Sequence, residues 1–155
     1  VTPDSKRALD DLLRSVTARL AGTPDEALGE LRRTRFRGRR LTPTGRAWRL
    51  GVLLIDRDAH LYETGELTRA LEPPRSTATK SDAAEARREL RHIASRGNFA
   101  EGEVVNFGYT TIDLSALPSG PLTEVDDAVF VRWNGTDSIP LATYLTDRVN
   151  LLTGD

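Results

Sequence analysis

GRAWRLGVLLIDRDAHLYETGELTRAL, residues Gly45 to Leu71, holds the longest apolar run of the chain, Leu50-Gly51-Val52-Leu53-Leu54-Ile55. That run lacks the alternation of a half-solvated strand. Bounded by Gly51 and Asp56 it is also too short for a core helix, so it reads as a strand covered on both faces. Asp56-Arg57-Asp58-Ala59-His60 reads as a turn and Leu61 to Leu71 as the returning strand, with Gly65 marking a bulge or a break into two strands. The stretch is expected to form the central hairpin of a small sheet.

Upstream, Arg32 to Arg49 contains eight arginines and no acid, interrupted by Gly38, Pro43 and Gly45. This is expected to be mostly loop, entering the strand near Ala47. Further back, Leu9, Leu12, Leu13, Val16 and Leu20 recur at helical spacing, with Asp4 as N-cap and Gly22 as the stop. Thr23-Pro24-Asp25-Glu26 is expected to open a short helix that turns Leu28 and Leu31 inward.

Downstream, the Pro/Ser/Thr loop Glu72 to Lys80 leads to a helix capped by Ser81. It runs to about Arg96 with Ala83, Ala86, Leu90, Ile93 and Ala94 on one stripe. Val105, Phe107 and Tyr109 alternate with polar neighbours as a half-buried strand, and Ala128 to Trp133 is a second short apolar strand. A last helix, started by Ser138 and Pro140, places Leu141, Leu145, Val149 and Leu152 on one face. The expected fold is α+β, a mainly antiparallel sheet of about four to five strands packed by three helices. It forms a single globular domain: a helical segment 1–33, an arginine-rich loop 34–48, and the sheet with its helices 49–155.

At 155 residues a core can be buried without staples. Cysteine is absent, which excludes disulfides and thiolate chemistry and suits a reducing cytoplasm. No apolar run approaches a membrane span, and the first residues lack the h-region of a signal peptide. The net charge of −1 gives the whole chain no bulk attraction to nucleic acid or to an acidic membrane. Only Lys6 and Lys80 are lysines, against twenty arginines, a bias that a GC-rich genome would produce.

That bias weakens the arginine cluster as a signal. With Phe36 and Trp48 interleaved, it has the residues to bind phosphates and stack bases. The blander reading, a solvated loop paired with Asp10, Asp11, Asp25, Glu26 and Glu30, is preferred because no nucleic-acid motif accompanies it. Asp56-x-Asp58 begins like a calcium loop but has Leu61 where the glycine is required, so a plain hairpin turn is expected and no metal. His60 falls in that turn and His92 away from its helix's apolar stripe, with no metal-ligand spacing between them. Thr77 and Lys80 are a threonine variant of S-x-x-K, and no G-x-S-x-G elbow is present.

Polar residues on strands that should be covered are the stronger candidates, because a buried charge needs a partner. Arg46, Trp48, Glu63, Arg69, Glu101, Asn106, Tyr109 and Arg132 form the candidate ligand-binding set, with no cofactor. Asn98 and Glu103 would sit on its rim.

The strings Gly45-Arg46-Ala47-Trp48-Arg49-Leu50-Gly51-Val52-Leu53-Leu54, Asp56-Arg57-Asp58 and Phe99-Ala100-Glu101-Gly102-Glu103-Val104-Val105-Asn106 resemble a small family of uncharacterised bacterial proteins. Some members of it are automatically labelled glutaminase. Serine-dependent glutaminases use an S-x-x-K pair in a much larger chain, whereas this sequence offers only Thr77 with Lys80, and the resemblance implies no catalytic residues. Three function classes follow. The first is a small-ligand-binding or protein-interaction domain, with a homodimer as one arrangement. The second is a small amide or ester hydrolase with a polar cleft near Glu63, Arg69, Glu101 and Asn106. The third and least favoured is a nucleic-acid binder using Arg32 to Arg49.

Overall fold

The computed structural model describes residues 1–72 and 81–155. Among them are three helices, α1 (Pro3–Leu20), α2 (Asp82–Ser95) and α3 (Leu141–Thr153). Ten strands accompany them: β1 (Glu26–Thr34), β2 (Gly38–Leu50), β3 (Leu53–Ile55), β4 (Leu61–Glu63), β5 (Glu66–Arg69), β6 (Val104–Phe107), β7 (Thr110–Thr111), β8 (Leu122–Val125), β9 (Ala128–Arg132) and β10 (Ser138–Pro140). The class is α+β, as expected. The sheet is larger than expected: seven strands in the order β5-β6-β1-β2-β3-β4-β7, mixed because β1 and β6 run parallel. A separate antiparallel sheet has the order β10-β9-β8. The chain divides into two compact units, one of Val1–Asp25, Ala47–Thr64 and Thr110–Asp155, the other of Glu26–Arg46 and Gly65–Tyr109.

The first unit contains the opening hairpin, and its apolar run is more than one strand. Leu50 closes β2, Gly51 and Val52 turn the chain, and Leu50 pairs with Leu53 as β3 begins. Gly51 has φ +65°, which suits the first residue of a two-residue hairpin connection. The Val52 amide donates to the Tyr144 hydroxyl at 3.0 Å. An unbroken apolar run hides such a turn, because an exposed Gly51 and a half-buried Val52 sit between fully buried neighbours. Leu53, Leu54 and Ile55 are fully buried, so the reading of a strand covered on both faces holds for β3. Gly65 does separate two strands, β4 and β5.

The leucine stripe of α1 packs with Trp48, Leu50, Leu53, Ile55, Leu61, Leu141 and Leu145 in one core. Its N-cap is Thr2, not Asp4: the Thr2 hydroxyl accepts from the Ser5 amide, and Asp4 lies inside the first turn. Ser138–Pro140 does not begin the last helix. It pairs with Phe130–Arg132 of β9, and α3 starts at Leu141 without a side-chain cap. Asp126 and Asp127, both at positive φ, form the two-residue turn between β8 and β9.

The second unit corrects two expectations. Glu26 to Leu31 is not helix, and Arg32 to Arg46 is not loop; together they are β1 and the first part of β2, joined at Arg35-Phe36-Arg37. The Thr23-Pro24 start signal opens no helix, because pairing of Ala27 with Val105 and Leu28 with Asn106 overrides it. Gly29 marks the close approach: a Cβ there would lie 3.0 Å from Val105 and 3.1 Å from both Leu41 and Phe99. Ser81 caps α2 as expected, accepting from the Ala84 amide. Of the expected stripe, Leu90, Ile93 and Ala94 pack with Ala27, Leu41, Val105 and Phe107, while Ala83 and Ala86 are exposed. Val105, Asn106 and Phe107 are all buried, so β6 is not the alternating strand anticipated, and Tyr109 lies beyond its end.

Candidate functional site

The sequence-selected polar residues fall into both units. In the first, Trp48 is 1% exposed. Its indole nitrogen donates to the Thr23 carbonyl at 2.9 Å. The Arg57 guanidinium lies 4.7 Å from its ring centroid and is itself paired with Asp25 at 3.1 Å. Trp48 is therefore a core residue with one polar tether. Glu63 is half-buried on β4, opposite Leu53 of β3 and Thr110 of β7, and Arg132 is exposed on β9.

In the second unit, Asn106 is 1% exposed and its amide donates to Glu26 Oε1 at 3.0 Å and to the Ala27 carbonyl at 3.2 Å. Arg46 pairs with Glu103 at 2.5 Å, and Glu103 also accepts from the Ala100 amide. Arg69 donates to the Gly102 carbonyl at 3.2 Å, which places it next to the exposed Glu101. The Tyr109 and Thr44 hydroxyls are 2.7 Å apart, and Asn98 is exposed after α2. These bonds brace neighbouring segments of one unit. Thr77 and Lys80 lie outside the described residues.

The Asp56 turn of the first unit is more organised than its sequence suggested. Asp56 Oδ1 accepts from the Asp58 and His60 amides, both at 2.9 Å, and Oδ2 accepts from the Tyr62 hydroxyl at 2.9 Å and faces His60 Nδ1 at 3.0 Å. Asp56, Asp58 and His60 thus converge, but both Asp56 oxygens already serve the turn. Burial by itself would raise the Asp56 carboxyl; the bonds from the His60 amide, the Tyr62 hydroxyl and the His60 ring outweigh it and hold the carboxyl below its ordinary 3.8. A depressed carboxyl stabilises the fold above its unfolded pKa, and the contribution is lost as pH falls through the folded value. Asp56→Asn is therefore expected to lower the urea midpoint at neutral pH, and the gap to wild type should close as the buffer drops below about pH 4. A gap independent of pH would assign the loss to geometry alone.

The arrangement that sequence reasoning undervalued is the β1–β2 hairpin. Thr34 fixes its tip: the hydroxyl accepts from the Arg37 amide at 3.1 Å and donates to the Gly38 carbonyl at 2.8 Å, with Gly38 at φ +66°. This closes a three-residue loop and projects Phe36, whose side chain is 89% exposed, with the Arg35 guanidinium 5.5 Å from its ring centroid. Arg32 pairs with Glu30 and Arg39 with Glu89. Arg33, Arg35, Arg37 and Arg40 have no carboxylate partner among the described residues.

Two grooves border the hairpin. One, about 630 Å³, is lined by Arg37, Arg39, Arg40, His92, Ile93 and Arg96 among others. The second, about 690 Å³, is lined by Arg33, Thr34, Arg35, Phe36, Arg39 and Glu89 among others. His92 faces Glu72 at 3.0 Å, and bonds from Ser95 and His92 hold the Glu72 carboxyl below its usual range. The sequence of the hairpin's unit carries fourteen Lys and Arg against nine Asp and Glu, net +5, and the other unit eight against fourteen, net −6. The whole-chain charge of −1 conceals this division, because the segments of the two units alternate along the chain.

Comparison with family models, with curated proteins and with solved structures finds no match to this chain.

Proposed function

We propose that the protein is a binding module whose ligand is a phosphate-bearing polyanion, taken up by the arginine hairpin of the second unit. The observation that carries this reading is the set Arg33, Arg35, Arg37 and Arg40, four guanidinium groups without carboxylate partners among the described residues, on one ordered two-stranded ribbon. Guanidinium groups present forked donors matched to phosphate oxygens, and a ribbon holds them at fixed spacing, which cuts the entropy lost on binding. The charge division supports the same reading, since the local field of a +5 unit draws polyanions that the chain average would not. Arg69 and Asn106, central to a hydrolytic cleft, commit donors to a carbonyl and a carboxylate of their own unit, which favours binding over catalysis. A cytoplasmic location and kinship with the bacterial family belong to the same proposal. Among the described residues, no helix is long and apolar enough to cross a membrane.

Heparin chromatography at about 50 mM salt tests the reading, because counterion release makes such binding steeply salt-dependent. The protein should be retained and elute as salt rises, and Arg33→Ala/Arg37→Ala/Arg40→Ala should elute much earlier. Flow-through of the wild type at low salt would refute it.

A further inference from the structure

We propose that the polyanion is single-stranded nucleic acid, with Phe36 stacking on one base while Arg37, Arg40 and Arg96 hold the flanking phosphates. This rests on the polyanion reading above and adds a base to it. The added observation is Phe36. The residue is 89% exposed at the tip of the ribbon, between the charged Arg35 and Arg37. Phosphates do not need an aromatic ring, whereas every base offers a π-face to one.

The geometry suits an unpaired strand. Arg35 lies over the Phe36 ring, 5.5 Å from its centroid, which adds a guanidinium plane to the platform. The groove lined by Phe36 shares Gly38, Arg39 and Glu89 with the groove lined by Arg37, Arg40 and Arg96. A backbone leaving the stacked base therefore has a continuous arginine-lined path. The volumes, about 630 and 690 Å³, are in the range that takes a small ligand or a short stretch of chain. Glu89 in that path is already neutralised by Arg39 at 3.2 Å. A duplex covers its base faces, so it offers Phe36 nothing except at its ends, although a two-stranded ribbon can enter a major groove.

The test is fluorescence anisotropy with labelled oligothymidylate and oligouridylate, a mixed-sequence single strand, its duplex, and heparin as competitor, each across a salt series. The single strands should bind more tightly than the duplex. Phe36→Ala should weaken the single strand about ten-fold or more without changing the slope of log affinity against log salt, and Phe36→Trp should restore binding. Arg37→Ala and Arg40→Ala should each flatten the slope by about 0.7, one phosphate's share for a single strand. All three positions are exposed on the hairpin, and circular dichroism checks that the variants are folded. Duplex binding as tight as single-strand binding, or indifference to Phe36→Ala, would overturn the stacking inference and leave the polyanion reading standing. Failure to bind any of the probes, heparin included, would bring down both.

Discussion

Gly51→Ala is expected to destabilise the unit that contains it by about 2–4 kcal/mol, combining an L-residue's penalty at left-handed φ with overpacking against a buried side chain. The backbone at Gly51 has φ +65°, and a Cβ added there would sit 1.9 Å from the Tyr144 hydroxyl and 3.1 Å from Arg148 Nε. Tyr144 cannot simply move aside. Its ring is 3% exposed, its hydroxyl accepts from the Val52 amide, and Arg148 covers one face at 5.1 Å from the centroid. The substitution thus strains the turn and dislodges the acceptor that satisfies it. Urea denaturation followed by circular dichroism gives the measurement. Gly22→Ala is the control, since nothing lies within 4 Å of a Cβ there, and it should shift the midpoint little. Equal midpoints for the two variants would show that the turn tolerates a side chain.

Trp48→Ala should cost about 3–5 kcal/mol, the usual range for truncating a large buried aromatic side chain. It empties a site 1% exposed and leaves the Thr23 carbonyl without its indole donor. Trp48→Phe should cost less, because most of the volume is kept and only the hydrogen bond is lost. The pair of variants separates two roles. A ligand-stacking tryptophan would give an alanine variant of normal stability and weakened binding; a core tryptophan gives unstable protein whose folded fraction still binds. The same denaturation curves decide it, with heparin retention measured below the transition.

The chemistry of a site was harder to read from the sequence than the layers of the fold. Helical periodicity found α1 because its buried face is regular, and found α2 from a partly buried stripe whose start Ser81 caps. Leu53 to Ile55 was legible as a strand because no other short element hides three consecutive apolar side chains. The turn at Gly51 was not legible, since the apolar run continues through it and only the positive φ reveals it. Nor was β1, whose identity is set by pairing with β6, far along the chain. Among site residues, Glu63, Arg69 and Asn106 looked like a lining because charge on a strand is expensive. Asn106 met that expense with Glu26 and the Ala27 carbonyl, partners that no spacing rule locates. The arginine hairpin was visible as composition and discounted for it. What raises it is geometry, a fixed tip and four guanidinium groups that pair with no acid among the described residues.

The parallel pairing of β1 with β6 also bears on how the chain emerges from the ribosome. Ala27 meets Val105, 78 residues later, so at roughly 5–20 residues per second one edge of β1 stays uncovered for about 4–16 s of synthesis. An open strand edge is a template for pairing with another nascent chain, and charge is the common defence. Arg32 and Arg33 lie at the end of β1 and Arg35 and Arg37 just beyond it. Charge placed there disfavours pairing of the open strand with another nascent chain.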